Sequence, residues 1–337
     1  AADASAAQKG GVAGMTARSV LNPRSLVSGG AGRLYGRRNR RSGRAVGLVL
    51  VHHGIAADQD PDAALLPALG ADLFRAQLEY LRRHYEVVPV RDLAQRLRER
   101  SPGDRLPVAI TFDDDLAGHA SLAAPILEEF GFPATFFLNA NTLDGPSTFW
   151  WQDLQAVLDR GQPAWEELKR RLAERWTWAG LGGTVGELSE TIEASPPKQR
   201  DAIAEAISQV AGPPIDRGLP AETVKDLVGR GFEIGFHTLR HYSLPTLDDR
   251  ELRRAMSEGV EELADVVGYR PKAISYPHGK ADLRVAEAAE QAGFELGFIT
   301  GHAATTPEQH PLLQARLVAW TDSLGSFAWA LGRLASR

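Results

Sequence analysis

The sequence predicts an α/β protein built on a parallel β-sheet, either doubly wound or closed as a barrel. Short apolar runs alternate with segments of helical periodicity along most of the chain. Unusual polar residues follow directly after several of these apolar runs. Because active sites in such folds lie at the carboxyl ends of the strands, these polar residues are the candidate functional groups.

The apolar runs predict the strands, and the segments between them predict the helices. Strands are predicted at 45–54, 86–90, 107–112, 133–140, 232–237, 272–277, 294–300 and 312–320. Helices are predicted at 73–83, 90–98, 122–130, 249–267 and 284–292. Glycines close several of these helices, as Gly268 does for the long helix 249–267.

One region interrupts this alternation. Between about residues 149 and 217 the chain is helical in pattern and rich in Trp, Glu and Arg, with no clear strand. We interpret it as an inserted helical subdomain. It is either an added packing layer or a lid that faces a sugar, since tryptophan faces stack on sugar rings.

The two ends of the chain are predicted to lie outside the folded domain. Residues 1–43 are rich in Gly, Ala, Ser and Arg without periodicity, which predicts a disordered basic arm. The folded domain is predicted over 44–325, followed by a C-terminal tail at 326–337. An arginine-rich segment in the arm is typical of a solubilising tail, or of contact with an anionic partner.

The composition excludes several classes of function. The 337 residues carry 38 basic and 43 acidic side chains, a net charge of −5, which gives no reason to expect a nucleic-acid partner. The chain has no cysteine, so disulfides and thiolate ligands are excluded. Neither a membrane span nor a signal-peptide pattern is visible, so membrane association is not indicated and a cytoplasmic location is expected, unless a signal segment was removed. The composition does not predict the oligomeric state.

Two polar motifs carry candidate chemistry. Asp113, Asp114 and Asp115 follow a predicted strand, and three adjacent carboxylates repel each other unless a cation or strong donors lie nearby. His237 and His241 follow another predicted strand. One aspartate with two imidazoles forms a three-ligand site with an open position, as catalytic zinc requires, and these ligands also suit cobalt, nickel or manganese.

These motifs resemble those of the polysaccharide deacetylase family (NodB homology, carbohydrate esterase family 4). TFDD at 111–114 resembles its first motif, and HTLRH at 237–241 resembles its H-[ST]-x-x-H motif. The segment 125–138 is similar to the helix, turn and strand that follow the first motif. SYPHG at 275–279 resembles the third motif, and LVHHGI at 50–55 resembles the opening strand of the branch that handles exopolysaccharides.

The resemblance extends from about Ala45 to Trp320 and implies a fold and an activity. The implied fold is a distorted (β/α)7-type, NodB-like barrel that carries the helical region as an insertion. The implied activity is hydrolysis of an N-acyl group, acetyl above all, from an amino sugar or glycan. The implied cofactor is a divalent metal, zinc before cobalt, nickel or manganese.

The resemblance also implies roles for individual residues. Asp113 would be the general base, and Asp114, His237 and His241 would be the metal ligands. A backbone N–H near His278 would help to hold the oxyanion. A divalent cation lowers the pKa of water and polarises a carbonyl group, so a neighbouring carboxylate can act as the base at neutral pH.

The chain departs from the family pattern at several positions. Asp115 stands where Gly or Ala is usual, and it would bind substrate hydroxyls or replace Asp114 as a ligand. Ser275 stands where an arginine often pairs with the base, and Arg316 could supply that charge instead. His278 replaces a tyrosine. We group Asp115, His278 and Arg316 as candidate substrate-contacting residues.

The general acid has no clear match to the family's late Leu-x-His motif. His302, which follows a predicted strand, is the first candidate, and His53 is the second. Two alternative functions stay open. A deformylase or amidase acting on a small non-carbohydrate amide would explain the unusual Asp115 and His278. A catalytically inactive, glycan-binding barrel would explain the missing acid and the missing arginine.

Overall fold

The computed structural model describes residues 40–58, 65, 68–177, 181, 183–213 and 218–335. The predicted disordered arm at 1–43 lies outside the described residues, except for its last four positions. Of these, Arg40 contacts the folded domain through a 2.8 Å hydrogen bond from its Nε to the carbonyl of Gly103. The end of the arm is therefore in contact with the domain.

Seven parallel strands form a closed barrel. In chain order the described strands are β1 Leu48–His52, β2 Ile55–Ala56, β3 Leu69–Gly70, β4 Tyr85–Val87, β5 Leu106–Asp113, β6 Thr135–Leu138, β7 Glu233–Phe236, β8 Ala273–Ser275, β9 Leu296–Thr300 and β10 Gln314–Val318. The barrel order is β1-β10-β9-β8-β7-β6-β5, and β1 pairs with β5 to close it. Strand β4 adds to the N-terminal part of β5, and β2 pairs with β3 alone. The predicted (β/α)7-type barrel is confirmed.

The two-residue periodicity of the strands separates an inner from an outer face. Val49, Ala109, Ala273, Phe137 and Phe298 belong to one cluster inside the barrel. Their neighbours in sequence pack instead in the large cluster under the surrounding helices. Because side chains alternate, the inner-facing row continues along β5, β8 and β10 to the polar residues at their carboxyl ends.

Helices cover the outside of the barrel and close one of its ends. The covering helices are Ala71–His84, Ala124–Phe130, Ala221–Gly229, Asp249–Ala255, Val260–Val267, Leu283–Gln291 and Leu324–Ala335. The helix Val90–Glu99 places Leu93 and Leu97 in the inner cluster with Val49 and Ala109. This closes the amino end of the barrel, so the interior opens at the carboxyl ends of the strands.

The predicted insertion has a hydrophobic core of its own. Its helices are Trp150–Asp159, Gln162–Leu172, Val185–Ala194 and Pro197–Ala211. They share a cluster that contains Leu154, Leu168, Leu188, Ile203 and Ile207 and that is separate from the two barrel clusters. The next helix, Ala221–Gly229, packs in the barrel cluster again.

Two predicted boundaries are wrong. The single helix predicted at 249–267 is two helices, because Gly259 adopts a left-handed conformation with φ of +86° and interrupts it. The C-terminal tail predicted from residue 326 lies mostly in the helix Leu324–Ala335. That helix buries Phe327, Leu331 and Leu334 because its apolar residues recur at helical spacing.

Among the residues that the structure describes, no helix is long and apolar enough to cross a bilayer.

Two buried histidines flank Phe112 in the outer core. The ring of His52 stacks on Phe112 at a centroid distance of 5.0 Å, and the ring of His119 meets Phe112 edge-on at 5.3 Å. Burial lowers the pKa of each to about 4, although each ring also has a hydrogen-bond partner that opposes the shift. Both rings therefore stay neutral in the native state well below pH 6.5.

These histidines predict acid destabilisation. Between pH 6.5 and 4 the unfolded chain binds protons that the native state does not. As the pH is lowered through this range, the free energy of unfolding should therefore fall by up to about 1.4 kcal/mol per pH unit for each histidine. In His119→Gln the slope of this free energy against pH should be smaller by the contribution of one histidine. Urea unfolding at successive pH values measures it, and an unchanged slope in the variant would contradict the assignment.

Candidate metal and hydrolytic site

Polar residues from four neighbouring parts of the barrel meet at its open end. Asp113 is the last residue of β5, Ser275 is the last residue of β8, and Arg316 lies in β10. His237 follows β7 directly. The strand periodicity places the first three on the inner face, so residues far apart in sequence come within hydrogen-bonding distance of one another.

The carboxylate of Asp113 is held by a bidentate ion pair. Arg316 donates from Nη1 to Oδ1 at 2.7 Å and from Nη2 to Oδ2 at 2.6 Å, and the hydroxyl of Ser275 donates to Oδ2 at 2.9 Å. Arg316 also contacts the hydroxyl of Thr111 at 3.2 Å. Burial alone would raise the pKa of Asp113, but Arg316 and then His237 hold this pKa well below its usual range. Asp113 is therefore a fixed, ionised carboxylate.

Asp114, His237 and His241 form a compact group of potential metal ligands. One ligand atom from each lies within 4.8 Å of the others, and all three side chains are buried. Oδ1 of Asp114 is 3.5 Å from Nε2 of His237 and 3.6 Å from Nε2 of His241. The same oxygen is buried without a hydrogen-bond partner. Both imidazoles therefore face an oxygen that needs a positive partner.

The protonation states of this group suit a cation. Nδ1 of His237 donates to the carbonyl of Ser275 at 2.8 Å, which leaves its Nε2 lone pair directed at Asp114. Burial lowers the pKa of both His237 and His241, so the rings are neutral. Burial, followed by repulsion from Asp113 and Asp115, raises the pKa of Asp114 well above its usual value. A divalent ion would remove that repulsion, so these residues fit the metal that the motifs imply.

The loops around this group adopt strained backbone conformations. Asp114, Thr238, His241 and His278 have positive φ angles of 72°, 58°, 49° and 59°. Such angles are costly for residues other than glycine and persist where surrounding contacts impose them. Asn139 supplies part of that constraint, because its Nδ2 donates to the carbonyls of His237 at 2.9 Å and Thr238 at 2.8 Å. Asn139 lies near the end of the strand predicted at 133–140 and directly follows β6, so the strand-end rule that identified the motifs also points to it.

Asp115 has a structural environment, in contrast to the predicted contact with substrate. Its Oδ1 accepts from the backbone N–H of Asn139 at 2.8 Å, and its Oδ2 accepts from the hydroxyl of Thr142 at 3.1 Å. Asp115 is buried and does not line the cavity above Asp113. The third carboxylate of the motif therefore joins the loops after β5 and β6.

Arg316 is likewise not a substrate-contacting residue. Its side chain is 0% exposed, it lies behind Asp113, and it does not line the cavity. It occupies the other position considered for it, as the positive partner of the carboxylate. His278, by contrast, lines the cavity, and its ring lies 4.6 Å from that of His241. Burial, assisted by Arg200, lowers the pKa of His278 to about 3.

The two candidate acids are placed differently. His53 follows β1 and lines the cavity together with Asp113, Asp114, His237 and His241. The side chains of His53 and His302 are both exposed, but His302 is not among the residues that line the cavity. Although His53 is exposed, desolvation by the surrounding protein lowers its pKa, and the charge of Asp113 opposes this shift.

A cavity of about 710 Å³ lies above these residues. The barrel supplies its floor, and the helix Trp150–Asp159 of the insertion supplies one wall. Trp151 of that helix packs against the ring of His241 at a centroid distance of 4.5 Å. Arg200, also from the insertion, donates to the carbonyl of Arg240 at 2.8 Å. The insertion is therefore in direct contact with the loop that carries both histidines.

Comparison with known proteins gives consistent results. The polysaccharide deacetylase family profile matches residues 100–178 and 189–297. The Bacillus subtilis (strain 168) protein YxkH, named a putative polysaccharide deacetylase, is 26% identical over 91 residues, which are 27% of this chain and 33% of that protein. The matched region thus spans about a third of the length of this curated relative.

Solved structures share the fold. The Streptococcus pyogenes deacetylase PplD, solved with acetate, superposes with a TM-score of 0.57 at 15% identity, over 85% of this chain and 97% of that one. A de-N-acetylase from Aggregatibacter actinomycetemcomitans gives 0.57 at 17% identity, over 84% and 98% of the two chains. IcaB from Ammonifex degensii gives 0.54 at 18% identity, over 87% and 97%.

The fold and the site together define a barrel hydrolase with an Asp-His-His group beside a buried acidic residue. The family profile covers more than half of the sequence, so the chain belongs to the polysaccharide deacetylase family. This confirms the family and the enzyme class that the sequence motifs predicted, a hydrolase of carbohydrate esterase family 4.

The ion pair between Arg316 and Asp113 predicts a large effect on stability. Arg316→Met should lower the free energy of unfolding by about 3–5 kcal/mol, because it leaves a buried carboxylate without a partner. The double variant with Asp113→Asn should recover part of this loss. Urea unfolding with a chelator present measures the change without a metal contribution.

The matched control is Arg254→Met, since Arg254 is an exposed arginine paired with Glu258. It should change the free energy of unfolding by less than about 1 kcal/mol. Equal losses at positions 316 and 254 would show that the buried pair is not the dominant contact.

Proposed function

We propose that this protein is a metal-dependent N-deacetylase that removes an N-acyl group, acetyl in the first instance, from an amino sugar or glycan. One observation carries the proposal: Asp114, His237 and His241 direct their ligand atoms at one point next to Asp113. Membership of the polysaccharide deacetylase family supports the reaction class. The solved relatives named as deacetylases share the fold and so are compatible with it.

Asp114, His237 and His241 would hold the metal. Two neutral nitrogen ligands and one carboxylate oxygen suit Zn²⁺, with Co²⁺, Ni²⁺ or Mn²⁺ as further candidates. When bound, such an ion would activate water and polarise the carbonyl group of the amide. The unpartnered Oδ1 of Asp114 and the directed lone pair of His237 support this ligand set.

Asp113 would accept the proton of the attacking water. Arg316 and Ser275 keep its carboxylate ionised and fix its orientation, so the base is held ready before the substrate binds. As the water oxygen attacks the acyl carbon, the C–N bond of the amide breaks and the leaving nitrogen needs a proton. The residue that supplies this proton must line the cavity.

His53 would be the acid that protonates the leaving amine. It lines the cavity and interacts electrostatically with Asp113, whereas His302 does not line the cavity. We therefore reverse the order of the two candidates that the sequence suggested. His278, next to His241, would contact the substrate at the other side of the site.

The structure weakens the observations behind both alternative functions. A deformylase or amidase acting on a small amide was favoured by the unusual Asp115 and His278. Asp115 joins two loops, whereas His278 lines the cavity, so only the first of these two observations loses its weight. An inactive, glycan-binding barrel was favoured by a missing arginine and a missing acid. Arg316 now pairs with Asp113, and His53 occupies the cavity wall.

The metal proposal predicts that metal binding and catalysis can be separated by single substitutions. His241→Ala should lower both bound metal and deacetylation, because it removes a ligand. Asp113→Asn should retain the metal but lose about 10²–10⁴-fold in kcat, because it removes only the base. Metal analysis after dialysis against Zn²⁺ and acetate release from N-acetylglucosamine oligosaccharides measure the two effects.

The matched control is Asp144→Asn, since Asp144 is exposed and does not line this cavity. It should keep both properties, and chelation should abolish the activity of the wild-type protein until Zn²⁺ or Co²⁺ is restored. Full activity in the metal-free protein, or in Asp113→Asn, would refute the proposal.

The two candidate acids predict opposite outcomes. His53→Gln should lower kcat by about 10²–10⁴-fold while the protein still binds metal, because the leaving amine loses its proton donor. His302→Gln should keep near wild-type activity. The same acetate assay compares them, and the reverse result would restore the order suggested by the sequence.

A further inference from the structure

The cavity above the candidate site is chemically divided. Its floor is polar, with Asp113, Asp114 and the histidines of the site. Its sides are mainly apolar. On the barrel side they are formed by Ile55, Leu69 and Leu116.

The insertion supplies the opposite apolar wall. Trp150 and Ala156 of the helix Trp150–Asp159 line the cavity, and Leu65 lies beside them. The side-chain oxygen of Gln155 in this helix accepts from the backbone N–H of Leu65 at 3.0 Å, which holds Leu65 against the wall. Leu65 also packs against the hydrophobic cluster of the insertion.

Polar side chains on this wall are engaged with protein partners. The carbonyl oxygen of the Gln152 side chain accepts from the backbone N–H of Phe149 at 2.8 Å. Asp153 accepts from the hydroxyl of Thr148 at 2.8 Å, and the amide nitrogen of Gln155 donates to Asp159 at 2.8 Å. Since these polar groups are already paired, the wall offers a ligand mainly apolar contacts.

The mouth of the cavity is apolar as well. Val318 and Trp320 line it, and they are 38% and 43% exposed. They belong to the few large hydrophobic side chains that stay exposed in the described part of the chain. Exposed apolar surface that continues into a cavity marks a surface that a ligand covers.

Volume and polarity together favour an occupant that is larger and more apolar than a free N-acetyl amino sugar. A cavity of about 710 Å³ is large enough for a drug-sized molecule, which is far more than one acetyl group needs. Sugar hydroxyls against the apolar walls would lose hydrogen bonds to water without replacement. The polar part of the substrate therefore belongs on the floor, and an apolar part belongs between the walls.

From this division we propose that the substrate is an N-acylated amino sugar that carries an apolar group longer than acetyl, either as its acyl chain or as its aglycone. The apolar part of the cavity between barrel and insertion, which we call the chamber, binds that group. The inference rests on the proposed deacetylase function. It specifies the chemical class of the substrate of the same site.

Two substrate series test the proposal and separate the two sources of the apolar group. One series keeps the N-acetyl group and lengthens the alkyl aglycone of N-acetylglucosamine from methyl to octyl. The other keeps the free sugar and lengthens the acyl chain from acetyl to octanoyl. In one series kcat/KM of the Zn²⁺-loaded protein should rise by up to about fourfold for each buried methylene group. Release of free amine measures both series.

Chitooligosaccharides of one to five units are the competing series. A rate that rises with the number of sugar units and stays flat in both alkyl series would overturn the proposal, because the chamber would then bind sugar rings. Flat rates in all three series would overturn it too. Absence of amine release from every compound would instead indicate failure of the deacetylase function itself.

A pair of tryptophan variants links any preference to the chamber. Trp320→Ala should reduce the gain from the longer chain by at least fivefold, with the gain in each protein measured against the shortest member of the same series. Trp329→Ala is the matched control, because Trp329 is 38% exposed and does not line the cavity. A chain-length preference that both variants retain in full would overturn the assignment of the chamber.

Discussion

The buried pair of Arg316 and Asp113 is the interaction on which the rest of the site depends. An ionised carboxylate inside a closed barrel is stable only with a charged and hydrogen-bonded partner. Arg316 meets this need with two parallel hydrogen bonds, and Ser275 adds a third. Since the partners lie in β10 and β8, the carboxylate is paired and fixed in orientation only when the barrel is closed. Folding and chemistry are thereby coupled.

The three consecutive aspartates repel each other, and each has a different electrostatic environment. Asp113 is neutralised by an arginine, and Asp115 is stabilised by a backbone N–H and a hydroxyl. Asp114 has neither, and its buried Oδ1 faces two neutral imidazoles. The positive φ of Asp114 turns its side chain out of the strand alternation that orients Asp113. Three adjacent carboxylates of one short motif thus have three different environments, which would suit the proposed base, the proposed metal ligand and a structural residue.

Periodicity predicted a parallel α/β sheet because it is a local property, but it left open whether the sheet is doubly wound or closed. The resemblance of the motifs to a known family implied the barrel and the ligand set Asp114, His237 and His241. The hydrogen bonds of Asp115 could not be predicted because their partners, Asn139 and Thr142, follow another strand. For Arg316 the sequence offered both a contact with substrate and a pairing with Asp113, and the structure has the pairing. His302 was ranked before His53, although both follow predicted strands, and only the fold shows that His53 lines the cavity. The helix break at Gly259 was hidden because a glycine in a helical pattern is compatible with either continuation or interruption.

The insertion and the barrel contribute different parts of one site. The barrel strands hold the charged groups in fixed positions, which is what proton transfer at a defined atom requires. The insertion reaches the same site through Trp151 on His241 and through Arg200 on the carbonyl of Arg240. Because the insertion also forms the apolar wall, its helices contact both the loop that carries His237 and His241 and the cavity. The contacts that shape one side of the cavity therefore also support the loop of the proposed metal ligands.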